Sequence, residues 1–290
     1  MPGTPLSASV RGILCMVAGM ALLTLNNAFL KTLTGDYPPG QLIALRAAFV
    51  FIPIALIAWC SDGLESLKVN NIGGQSIRAA FLVATQFLMV TSLGLLPLAD
   101  VTALSFSGPL VITALAGPML GEQVGWRRWA AVVVGFSGVL IMVRPDPEIF
   151  RIAALLPILA ASSGALRDLV TRRISTGESS IAILCFSTSA VLLAGLVSMF
   201  FDRAPLNMAD LPLLAVAGCL QGAAHFILIE AFRHGEAVVI APFKYTALPW
   251  AAVFGFLLFG QIPDIWIITG AMPVICAGLY IVHRERLKHR

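Results

Sequence analysis

Charge is scarce in this chain of 290 residues: Lys, Arg, Asp and Glu together supply 12% of it, against 58% hydrophobic residues. With a mean hydropathy of +0.90, there is too little polar surface to cover a soluble globule, so the composition indicates an integral membrane protein. Paired cysteine motifs are missing too. Cys15, Cys60, Cys185, Cys219 and Cys276 lie singly in apolar stretches, odd in number and without CxxC or metal-ligand spacing, which fits packing rather than redox or metal chemistry. There is no P-loop, no GxSxG and no paired-carboxylate pattern, and the run from His225 to Glu230 is not HExxH. No catalytic residue, metal or cofactor is expected. Nothing resembles a secretory leader, because the opening MPGTPLSASVRG runs straight into an apolar segment longer than a signal-peptide core. That segment is expected to remain as a helix. The net charge of +4 comes from basic residues gathered at helix ends, so nucleic acid is not an expected partner; the lipid bilayer is.

What the chain has instead is apolar runs. Ten can be marked, each about 18 to 24 residues long, the length that spans a bilayer as a helix. In order they are roughly 11 to 34, 40 to 60, 76 to 96, 100 to 120, 125 to 143, 151 to 173, 179 to 201, 209 to 232, 237 to 259 and 264 to 283. The links are short and rich in turn residues, as in TGDYPPG at 34 to 40 and DRAP at 202 to 205. With the N-terminus in the cytoplasm, the inner ends receive Arg11, Lys68, Arg78, Arg127, Arg128, Arg167, Arg172, Arg173, Arg233 and the four basic residues from Arg284 to Arg290. Outer ends receive only Lys31, Arg144, Arg151 and Arg203. Thirteen against four predicts that both termini are cytoplasmic, in a cell (inner) membrane.

An internal repeat accompanies this. Gly121-Glu122 is followed by Trp126 and Gly138, as Gly260-Gln261 is followed by Trp266 and Gly278; Lys31 and Arg46 are spaced like Arg172 and Ser187. A shift of about 140 residues superposes five spans on five, dividing the chain into halves at 1–145 and 146–290. An odd number of spans per half inverts the second half, the architecture of many secondary carriers. Chance similarity between apolar segments is the competing explanation.

The run from Ala237 to Gly260 carries the least expected residue, Lys244, between Pro242 and Pro249. An ionisable group within a span must face protein, water or ligand, and two prolines imply a bent helix with freed carbonyls. Lys244 is close enough to Glu230 to pair with it, a pair that would neutralise both and serve as a gate; the alternative is that its long stem snorkels to the headgroups. Other embedded polar residues are Asn26, Asn27 and Lys31 in span one, Arg46 in span two, Gln86 in span three, and Gln221 and His225 in span eight. A guanidinium at Arg46 suits a substrate carboxylate or phosphate, or a structural tie to backbone carbonyls. Helical spacing puts Thr102, Ser105, Pro109 and Thr113 on one face of span four, although such hydroxyls also bond to their own i−4 carbonyls. Phe106, Tyr245 and Trp250 offer an aromatic wall, or simple packing. The GxxxG pairs Gly218/Gly222 and Gly117/Gly121 point to close helix contact.

The blocks from Pro109 to Gly121-Glu122, from Ala241-Pro242-Phe243-Lys244-Tyr245, and from Phe259-Gly260-Gln261-Ile262-Pro263-Asp264 resemble EamA-type members of the drug/metabolite transporter superfamily, over about 10 to 285. The second-half block is most similar to the bacterial branch that includes S-adenosylmethionine and riboflavin carriers. The resemblance implies an all-α membrane protein of ten transmembrane helices in two inverted five-helix repeats, a central cavity lined by spans one, three, four, six, eight and nine, and alternating access without ATP. Gln261 departs from it, standing where the repeat has Glu122 and the family commonly has Glu.

The expected function is a secondary transporter for a small organic metabolite, amino-acid-like, S-adenosylmethionine-like or vitamin-like. Its substrate contacts are expected among Asn26, Asn27, Arg46, Gln86, Ser105, Gln221, His225, Lys244, Tyr245 and Trp250, with Glu230, Pro109 and Pro249 in gating or coupling. A proton or an exchanged metabolite is the expected coupled partner. The alternative is a proton-coupled efflux pump for amino acids or drugs, with Glu230 carrying the proton. A lipid-modifying enzyme would need a nucleophile, metal site or acid pair that is not seen, and a receptor would bind without flux.

Overall fold

Hydropathy predicts unbroken spans, but the backbone interrupts two of them. The computed structural model describes residues 8–60, 67–121, 125–143, 150–234, 240–262 and 264–288. Glu122 of the repeat signature, the turn at 144 to 148 and Pro263 lie outside the described residues. The helices are α1 (Ala8–Lys31), α2 (Pro39–Trp59), α3 (Ile72–Leu95), α4 (Leu98–Leu104), α5 (Ser107–Leu120), α6 (Trp126–Val143), α7 (Phe150–Ile174), α8 (Ser180–Ser198), α9 (Leu211–His234), α10 (Ala247–Phe259) and α11 (Ile265–Lys288). Six of the described stretches, Val10–Lys31, Pro39–Trp59, Ile72–Leu95, Ala153–Ile174, Ser180–Ser198 and Met208–His234, are long and apolar enough to cross a membrane. Leu56, Trp59, Leu193, Phe200 and Leu257 are among many large apolar side chains left on the outside, as a lipid-facing surface requires.

The fourth run breaks between α4 and α5. Pro109 has no N–H to give to the Ser105 carbonyl, and that carbonyl accepts instead from Gly108 N at 3.0 Å, tightening the chain to a three-residue turn. Thr102 and Ser105 turn their hydroxyls back to the Leu98 and Val101 carbonyls, at 2.8 and 2.7 Å. The single face that would have joined Thr102 to Thr113 is therefore split. The ninth run opens with a 3₁₀ segment, Ala241–Thr246, and becomes α-helical only at Ala247. Pro109 and Pro249 each occupy the third position of the helix after the break, where a missing N–H leaves no helical bond unmade. Both of those helices end on a glycine in the left-handed region, Gly121 at φ 72° and Gly260 at φ 64°. Gln261 has its own use: its Oε1 accepts from Leu98 N at 3.2 Å, capping the start of α4 with a neutral group.

The most extensive helix contacts pair α1 with α9, α6 with α11, α3 with α7 and α2 with α8. Each joins an element before residue 144 to one after 149. Between α2 and α9 the backbones nearly touch, because a Cβ on Gly218 would stand 2.6 Å from the Arg46 carbonyl and one on Gly222 would stand 2.5 Å from Pro53. That GxxxG pair is a packing surface. Gly121, by contrast, faces open space. At one end of the bundle Tyr37 donates to Asp210 at 2.6 Å and accepts from Asn207 N at 3.0 Å, and Gln41 exchanges two bonds with the Ala204 backbone. At the other end the buried Glu178 carboxylate accepts from the backbone of Asn70 and Asn71.

Candidate functional site

Lys244 projects from the 3₁₀ segment onto α7, where its ammonium binds the carboxylate of Asp168. Arg167 grips the other oxygen of the same carboxylate through Nε at 2.9 Å and Nη2 at 2.7 Å. Asp168 is 3% exposed, so one acid is shared between two cations away from bulk water. The Lys244 ammonium also lies 5.6 Å from the centre of the Phe232 ring.

The expected Glu230 to Lys244 pair does not form. Glu230 turns toward the start of α8, accepting from the Ser180 hydroxyl, and His234 Nδ1 lies 3.5 Å from its carboxylate. The reason is geometric: the Lys244 side chain reaches from the 3₁₀ segment to α7, whereas Glu230 sits on the flank of α9 facing the start of α8. Lys244 does not snorkel either.

Asp168 escaped the sequence reading altogether, and Arg167 was counted as an end charge. The pair lies about 7.5 to 9 Å inside the predicted end of span six at 1.5 Å per residue, and the neighbouring Arg172 and Arg173 disguise it as part of the interface. The available signal was an acid inside an apolar run. Arg78 was assigned to an end in the same way, yet it is 2% exposed and donates through Nε to Thr171 at 2.8 Å and through Nη1 to the Ser187 hydroxyl.

Arg46, also 2% exposed, donates through Nη2 to Gln86 Oε1 at 2.7 Å, and its Nη1 stands 3.5 Å from the Asn26 amide. Asn26 and Gln221 meet amide to amide at 3.0 Å. Arg46 is thus tied to side-chain amides rather than to backbone carbonyls. Lys31 takes the backbone tie instead, donating to the Leu93 and Leu96 carbonyls at 2.6 Å each, where α3 has run out of N–H partners.

A cleft of about 120 Å³ lies among α1, α3, α4, α7 and the 3₁₀ segment. Asn27, Thr24, Thr85, Thr102, Ser105, Arg167 and Lys244 give it polar points, and Met20, Met89 and Phe106 give it soft apolar walls. Phe106 meets Tyr245 edge to face at 5.0 Å, and both are buried. Trp250 is not part of that wall: it is 39% exposed and stacks on Phe254 at 6.0 Å. One helical residue decides this, since Tyr245 precedes α10 and Trp250 lies on its outer face. Pro249 is exposed as well, and Pro109 lies in the first turn of α5. Gln86, Gln221, His225 and Arg46 line a second, smaller cavity next to the cleft.

Buried cations thus stand around a polar cleft, with broken helices beside it. Residues 10–144 match the EamA-like transporter family. That match takes in a little under half of the chain. Among its relatives, an S-adenosylmethionine uptake transporter of Rickettsia bellii is 28% identical over 92% of this chain and 94% of that one. A riboflavin transporter of Brucella anthropi is 27% identical over 85% and 89%. A crystal structure, described only as that of a protein, superposes with a TM-score of 0.73 at 18% identity over 95% of this chain and 96% of that chain, which speaks to the fold alone. The matched family and these named relatives are transporters, and the six long apolar helices fit a multi-pass membrane protein.

Proposed function

We propose that this chain is an EamA-type carrier and moves a small zwitterionic metabolite, S-adenosylmethionine-like or amino-acid-like, or a vitamin with a fused ring, by alternating access. The observation that carries the reading is the ion pair of Asp168 with Lys244, which stands with Arg167 in the wall of the cleft. A substrate carboxylate competes with Asp168 for Lys244 and Arg167, and a substrate cation competes with Lys244 for Asp168. A molecule bearing both exchanges one internal pairing for two external ones, so opening the pair leaves no buried charge bare. Phe106 and the methionines at 20 and 89 supply a face for a ring, and Asn27, Thr102 and Ser105 supply hydrogen bonds.

Two inverted five-helix halves, 1–145 and 146–290, complete the proposal. The matching positions of Pro109 and Pro249, the left-handed Gly121 and Gly260, and the pairing of helices across the halves all support it. With Arg78 and Arg167 drawn into the interior, eleven basic residues against four still favour cytoplasmic termini in the inner membrane. For proton-driven efflux, Asp168 rather than Glu230 is the acid bound to the cleft-lining Lys244 and Arg167.

Uptake of labelled S-adenosylmethionine and riboflavin into vesicles carrying the purified protein tests the reading. Saturable uptake that disappears in Lys244→Ala, while the variant remains folded in the membrane, is the expected result. Wild-type flux in Lys244→Ala would remove the lysine from the mechanism.

A further inference from the structure

The interior holds more positive charge than Asp168 balances. Arg46 and Arg78 are each 2% exposed, and among the described residues their hydrogen bonds go only to amides and hydroxyls, never to a carboxylate. Next to Arg46 is a small cavity of about 20 Å³, room for one small ion or water, between α2, α3, α8 and α9, whose polar lining is Arg46, Gln86, Thr188, Gln221 and His225. Two of these groups stand out. Thr188 and His225 are each 5% exposed, and among the described residues neither the hydroxyl nor the imidazole makes a hydrogen bond.

Two polar groups that line one cavity without a protein partner, beside an unneutralised guanidinium, have a common remedy. Water satisfies the hydroxyl and the imidazole, but a dipole does not neutralise a full charge in a low dielectric. An anion does both. The rest of the lining, including Ile43, Val50, Leu82, Leu184 and Val191, is aliphatic, which favours a weakly hydrated monovalent ion over a doubly charged phosphate.

We infer that this cavity binds a small monovalent anion of chloride or carboxylate size. The guanidinium of Arg46 is held in place by Gln86 and faces the anion, the Thr188 hydroxyl and a His225 N–H donate to it, and the Gln221 amide closes the shell. Because α2 and α3 precede residue 144 and α8 and α9 follow residue 149, the anion ties the two parts of the bundle together in this conformation. The site is separate from the ion-paired cleft, and its occupancy is read without any transport assay, so the failure of one reading leaves the other standing.

Chlorine-35 NMR of chloride with the purified protein in detergent tests it. The expected result is a saturable broadening above the detergent blank, weakened several-fold by Thr188→Val and by His225→Leu and abolished by Arg46→Gln. Thr188→Val is nearly isosteric and carries the test if the arginine variant does not fold. Acetate is the second arm: displacement of chloride by acetate identifies a site that reads carboxylates, the group a metabolite would bring, and chloride retained against acetate assigns the site to the free halide. No broadening above the blank, or undiminished broadening in Thr188→Val, overturns the inference.

Discussion

Asp168 serves two cations with one carboxylate, so its removal is the most informative single change. Asp168→Asn leaves Lys244 and Arg167 facing each other in a buried site, and breaking a buried pair from one side destabilises by about 3–5 kcal/mol. The expected result is a lower unfolding temperature in detergent together with lost uptake. Adding Lys244→Met to Asp168→Asn restores much of the stability, because one stranded charge is gone, but not the uptake. An Asp168→Asn protein as stable as wild type would show that water reaches the pair freely.

At the scale of the helix, the discontinuities of the fourth and ninth runs lie before their prolines, not at them. Pro249 stands in the first turn of α10 with its ring exposed, so Pro249→Ala removes no constraint on the 3₁₀ segment. Turnover should stay close to wild type and stability should shift by no more than about 0.5 kcal/mol; a large loss of turnover would restore the proline as a hinge. Helix contact gives a sharper expectation. A side chain at Gly218 meets the Arg46 carbonyl at 2.6 Å and Phe49 Cβ at 2.5 Å, so Gly218→Leu forces α9 from α2 and destabilises by at least about 1–3 kcal/mol. Gly73→Ala, whose Cβ would meet nothing closer than 3.9 Å, is the neutral control in the same thermal unfolding measurement.

On the scale of the whole molecule, the main helix pairs all cross between the halves: α1 on α9, α2 on α8, α3 on α7 and α6 on α11. Some buried polar residues find their partners only across the halves: Asn26 meets Gln221, and Arg78 donates to Thr171 and Ser187. Fragments 1–145 and 146–290 expressed separately should therefore be degraded or aggregate, and co-expression should recover folded protein and uptake. An independently stable half, seen by size-exclusion chromatography, would contradict this. Cysteine-accessibility labelling at the two ends should report the same side of the membrane.

The amino-acid sequence by itself determined the all-helical membrane class and the places of the six long apolar helices, because hydropathy and bilayer thickness are local quantities summed along the chain. Lys244, Arg46, Gln86, Gln221 and His225 were legible as embedded polar residues for the same reason: one polar group in twenty apolar ones is conspicuous. Partnership was not legible. Lys244 lies closer in sequence to Glu230 than to Asp168, and only the folded bundle brings Asp168 of α7 within reach of its side chain. Arg78, Arg167 and Asp168 lie near span ends, where charge is ordinary, and only helix packing shows that α3 and α7 hold them away from the headgroups. Trp250 and Tyr245 look alike in composition, and the tertiary structure separates them because α10 turns one face to the bundle and the other to lipid.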